Sequence, residues 1–82
     1  MKQVFKINFY VPDFNIKKKV FDYLIFHKIS FNYETCGEHK GGYMFKVWNV
    51  TEVTREMILK DMREICGIDF KFDSIISLGF IM

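Results

Sequence analysis

Apolar and polar residues alternate with a period of two from Gln3 to Val11, and again from Tyr43 to Val50. Successive side chains of an extended chain point to opposite faces, so each run describes a strand with one face buried and one face open. Phe5, Ile7, Phe9 and Val11 form the inward set of the first run, against Lys6, Asn8 and Tyr10. Tyr43, Phe45 and Val47 form the inward set of the second, against Met44, Lys46 and Trp48. Two such strands need a layer of helices to cover their apolar side.

The intervening and following segments supply that layer. The spacing predicts a helix over residues 15–28, with Ile16, Val20, Tyr23, Leu24 and His27 on one face and Asp13 or Asn15 as its cap. Phe21, Ile25 and Phe26 fall outside that face and leave an apolar arc wider than one helix on one sheet needs. Either neighbouring segments cover these residues or they form a contact surface. A second helix starts after Asn49 or Thr51, carries Glu52 in its first turn and stops at Gly67, with Ile58, Leu59, Met62, Ile65 and Cys66 inward.

A short strand over about residues 30–36, with Phe31 and Tyr33 inward, joins the Tyr43 strand through a turn of Gly37, Glu38, His39, Lys40 and Gly41. A last strand runs to the C-terminus, and Ile68, Phe70 and Phe72 form either a separate short strand or an irregular approach to it. The order strand, helix, strand, strand, helix, strand predicts one ferredoxin-like α+β sandwich over residues 1–82. Its four-stranded antiparallel sheet takes the order 4-1-3-2, with both helices on one face. That fold hosts many unrelated functions, so function must be argued from sites.

Composition narrows the classes. Half of the 82 residues are hydrophobic and ten are Phe, which describes a folded chain with a single core. Apolar stretches such as 75–82 fall short of the roughly 20 residues of a membrane span, and the N-terminal residues lack a signal-peptide pattern. The reading is a cytoplasmic protein, and two cysteines without a disulfide framework fit a reducing compartment. A net charge of +2 gives no global electrostatic case for nucleic acid. The chain has no Ala, ten Ile against three Leu and ten Lys against two Arg, a bias of A/T-rich codons shared by many small proteins of phages and mobile elements.

Metal and catalytic chemistry lack their parts. Cys36 and His39 are spaced as Cys-x-x-His, but the fold puts His27 at the far end of the sheet, so the four ligands of a structural zinc site do not assemble. No metal or cofactor is expected. Cys36 beside His39 has no orienting group or oxyanion hole, and Glu34 and Glu38 are solvated, so the chain reads as non-enzymatic. Gly41 and Gly42 open a strand rather than a helix and are turn glycines, not a phosphate loop.

Two surfaces remain. Lys17, Lys18 and Lys19 oppose the dipole of the first helix, as a solvated charge run or as a basic patch for phosphate or an acidic partner surface. Lys6, Asn8 and Tyr10 lie beside Met44, Lys46 and Trp48 on the sheet face the helices leave open, as a stripe of aromatic and cationic groups. Such a stripe suits stacked bases of a single strand or a protein interface.

Lys40-Gly41-Gly42-Tyr43-Met44-Phe45-Lys46-Val47-Trp48 resembles the third-strand motif of RNA-recognition-motif domains, and Ile7-Asn8-Phe9-Tyr10-Val11 resembles their first-strand motif. The resemblance implies RNA binding on the open sheet face. It departs from the family pattern in that the motif's stacking positions fall on Tyr43 and Phe45, which the alternation turns inward, leaving Tyr10 and Trp48 outside. A second similarity, to ACT-type domains, implies an amino-acid site at the loop Pro12-Asp13-Phe14-Asn15, which lacks their glycine.

The expectation is a non-enzymatic protein that binds a macromolecular partner through the stripe and through Phe21 and Ile25. Its specific form is a phage or mobile-element accessory factor that inhibits a host defence or nuclease protein. The alternatives are RNA binding on the stripe and a homodimer through either surface.

Overall fold

The computed structural model describes residues 2–36 and 41–81. Its elements are β1 (Lys2–Val11), α1 (Phe14–Phe26), β2 (Phe31–Thr35), β3 (Tyr43–Thr51), α2 (Glu52–Cys66) and β4 (Ser74–Ile81). The strands form one antiparallel sheet in the order β2-β3-β1-β4, so the ferredoxin-like α+β fold and the strand order read from sequence both hold.

Local chemistry sets the helix ends. The Asp13 carboxylate accepts from the backbone N–H of Asn15 at 2.6 Å and of Ile16 at 3.3 Å, so α1 starts one residue earlier than its spacing suggested. Thr51, rather than Asn49, caps α2 by accepting from the Thr54 N–H at 3.3 Å. Gly67 ends α2 at φ 121°, a conformation open to glycine.

The core lies between the helices and the two central strands. Ile7, Phe9 and Val11 of β1 and Phe45 and Val47 of β3 are fully buried against Val20 and Leu24 of α1 and Ile58 and Met62 of α2. The rings of Phe9 and Phe45 stack at 5.5 Å. Residues 67–73 form no strand; instead Phe70 meets Phe9 edge-on at 5.3 Å and Phe72 lies at 6.1 Å, closing the core beneath the approach to β4.

Two residues read as inward, His27 and Tyr33, meet more solvent than their spacing suggests, and one read as outward, Phe21, is covered. His27 is the exposed C-cap of α1, its ring against Tyr23 at 4.4 Å, because the helix ends before its face turns back to the core. Tyr33 does stack on Phe45 at 5.3 Å, yet stays exposed because β2 is an edge strand. Phe21, expected outside the buried face, turns edge-on to Phe31 at 5.4 Å and Tyr33 at 6.1 Å, so β2 covers it.

Candidate interaction surface

The open face is organised by the pairing of β1 with β3, which sets Asn8 opposite Lys46 and Tyr10 opposite Met44. Phe5 pairs with Val50 and Ile7 with Val47, so Lys6 faces two residues, Trp48 and Asn49. This is a β-bulge, and Asn49 takes up its extra length at φ 56°, in the left-handed region that Asn tolerates better than most side chains. The bulge holds Trp48 on the open face, where its ring lies under the Lys6 ammonium at 4.4 Å.

The six stripe residues are therefore brought together, and most of their polar groups are met from within the chain. Lys46 Nζ lies 3.1 Å from Glu34 on β2. The Tyr10 hydroxyl donates to the Gly41 carbonyl at 3.0 Å. Asn8 Nδ2 donates to Ser74 Oγ of β4 at 3.0 Å, while its Oδ1 is buried without a hydrogen-bond partner. Trp48 keeps 36% of its surface exposed beside a groove of about 320 Å³ that His27, Ser30, Asn49, Thr54 and Met57 also line.

Gly42 belongs to this surface for a reason of space. A Cβ built on it would lie 2.6 Å from the Tyr10 hydroxyl oxygen and 2.8 Å from the Val11 carbonyl oxygen, and its φ is 78°. Glycine lets the Tyr10 ring lie across the start of β3. The rest of the turn, with Gly37, Glu38, His39 and Lys40, lies outside the described residues.

The lysine run divides. Lys18 and Lys19 are exposed, whereas Lys17 turns its ammonium onto four rings: Tyr33 at 4.6 Å, Tyr43 at 5.4 Å, Phe21 at 5.5 Å and Phe14 at 5.6 Å. Aromatic faces attract a cation, so this box offsets the unfavourable position of Lys17 in the helix dipole. Sequence reasoning missed the box because its rings come from α1, β2 and β3. At the other end of α1, Ile25 and Phe26 stand exposed, Phe26 at 79%.

No group of three or more metal-ligating side chains occurs among the described residues. Burial pushes the Cys66 thiol above its usual range, which lowers its thiolate fraction. Burial, and then the hydrogen bond to Asp61 and its charge, push the Tyr23 phenol well up. No helix among the described residues is long and apolar enough to cross a membrane.

The positions matching the RNA-recognition motif lie on the wrong side for that use: Phe45 is fully buried and Tyr43 packs against the helix-side core. Comparison with protein-family models, curated proteins and solved structures finds no match.

Proposed function

We propose that this chain is a non-enzymatic binding protein that docks a protein partner on its open sheet face, with Trp48 as the anchor. The observation that carries the reading is the pairing of the stripe's cations. Lys6 is held on Trp48 and Lys46 on Glu34, so the face is no run of free positive charge that would track a phosphate backbone. What it offers is a partly exposed indole among polar groups most of which are satisfied within the chain, the pattern of an anchor inside a polar rim. Ile25 and Phe26 extend the apolar surface at the end of α1. The finer role, an accessory factor that occupies and inhibits a host protein, rests on the composition alone, which has no Ala and is rich in Ile and Lys.

The test is affinity capture by the tagged chain from cells, with and without nuclease, repeated with Trp48→Ala. The expected result is a stoichiometric protein that survives nuclease and added salt and is lost with Trp48→Ala while the variant stays folded. Recovery of RNA or DNA, with binding that falls steeply as salt rises, would overturn the reading in favour of nucleic acid.

A further inference from the structure

The two edges of the sheet are unequal. β2 is five residues long, and Glu34 on it is paired with Lys46, so that edge is short and charged. β4 is eight residues, Ser74–Ile81, without a charged side chain. Natural edge strands are blunted by charge, shortness or cover, because alternate backbone N–H and C=O groups point away from the sheet and template pairing. β4 lacks the first two protections. The helices pack on β1 and β3, and none of the β4 side chains described is buried.

Its exposed surface is apolar on both faces. Ile76 lies opposite Lys6 on the open face and is 45% exposed; Ile75 lies opposite Ile7 on the helix side and is 46% exposed. Leu78 is 44% and Phe80 64% exposed. The serines are turned to β1: Ser74 accepts from Asn8 at 3.0 Å and Ser77 from Gln3 at 2.9 Å. No charge or polar side chain is left on the edge to select a foreign strand.

We propose that β4 is a self-pairing edge, which joins two copies of this chain antiparallel, β4 to β4, into one eight-stranded sheet. A two-fold axis perpendicular to the sheet keeps each face on its own side, and residues directly opposite share a face. The register shift between Ser77 and Gly79 makes Ser74–Ser77 the longer regularly paired part of the strand, so the seam centres near Ile76. There Ile76 meets the same residue of the second copy on the open face, while Ile75 meets the second copy's Ser77 on the helix side. Because the strand is uncharged, the symmetric pairing sets no like charges against each other. A second copy thus meets this edge over Ser74–Leu78 with no charge set against another. Centred there, the seam runs over Ser74–Leu78, about 17 Å at about 3.3 Å per residue, which is short for a specific interface, so the dimer depends on concentration. It uses the backbone edge and stands apart from the Trp48 docking surface.

Sedimentation across about two decades of concentration tests the pairing. The wild-type chain is expected to pass from monomer to dimer. Ile76→Glu sets its carboxylate opposite Lys6 within the monomer and against its counterpart across the seam, so it should remain folded and weaken dimerisation at least about tenfold. Leu78→Glu is the second variant should the first fail to fold, and Trp48→Ala should dimerise as the wild type does. On the wild-type chain, amide exchange in β4 should slow as concentration rises. A wild-type chain that stays monomeric, a folded Ile76→Glu that dimerises normally, or β4 exchange that ignores concentration would each overturn the proposal. Loss of dimerisation in Trp48→Ala alone would place the contact on the sheet face and overturn it as well.

Discussion

The ammonium of Lys6 lies 4.4 Å from the centre of the Trp48 ring, across a bulge that gives two residues of β3 to one of β1. The contact holds the indole on the open face beneath the Lys6 ammonium. Lys6→Met should release the ring. The expected outcome is a changed indole fluorescence and a loss of about 0.5–1 kcal/mol in chemical denaturation, the size of an exposed cation–π contact.

Lys17 and its neighbours should behave in opposite ways. Lys17→Ala removes the cation from the ring box and should cost about 1–2 kcal/mol, since the site is partly desolvated. Lys18→Ala and Lys19→Ala relieve repulsion with the helix N-terminus and should be neutral or stabilising by up to about 1 kcal/mol. Urea midpoints of the three variants check this, and equal effects at all three positions would refute a special role for Lys17.

Tyr23 donates its hydroxyl to Asp61 and ties α1 to α2. Its phenol is raised in the folded chain by burial first and by Asp61 second, so the folded state holds the proton after the unfolded state has released it. That contribution is fully present below the ordinary tyrosine value of about 10 and is lost as pH rises above it. Melting temperatures should therefore fall above about pH 10, and less steeply in Tyr23→Phe. At neutral pH the same variant should lose about 1–2 kcal/mol.

Gly42→Ala combines a backbone conformation unfavourable to side chains with a contact against Tyr10 and Val11. The expected cost is about 2–4 kcal/mol, read from thermal or urea unfolding. Pairing it with Tyr10→Ala, which empties the space, should recover part of the loss. An equal cost with and without the Tyr10 ring would assign the whole effect to the backbone.

Much of the fold was legible because it rests on local periods. The alternation in β1 separated Phe5, Ile7, Phe9 and Val11 from Lys6, Asn8 and Tyr10, and the spacing in α2 marked Ile58 and Met62, both fully buried. Asp13, Thr51 and Gly67 announced helix ends through chemistry that acts within a few residues. The six residues of the stripe followed from the same alternation together with the order of the strands.

The sequence by itself determined the elements, their faces and their order, since each depends on neighbours at most a few residues away. Tertiary structure alone decided which exposed groups are satisfied and which are not. Lys17 meets rings from three elements, Phe21 is covered by a strand ten residues further on, and Lys46 finds Glu34 across a register no local pattern contains. β4 reads as an ordinary apolar strand in the sequence, and only its place at the sheet edge, beyond the cover of both helices, leaves Ile75, Ile76, Leu78 and Phe80 in the open. Burial is a property of the whole assembled surface, whereas periodicity is a property of a short stretch of chain.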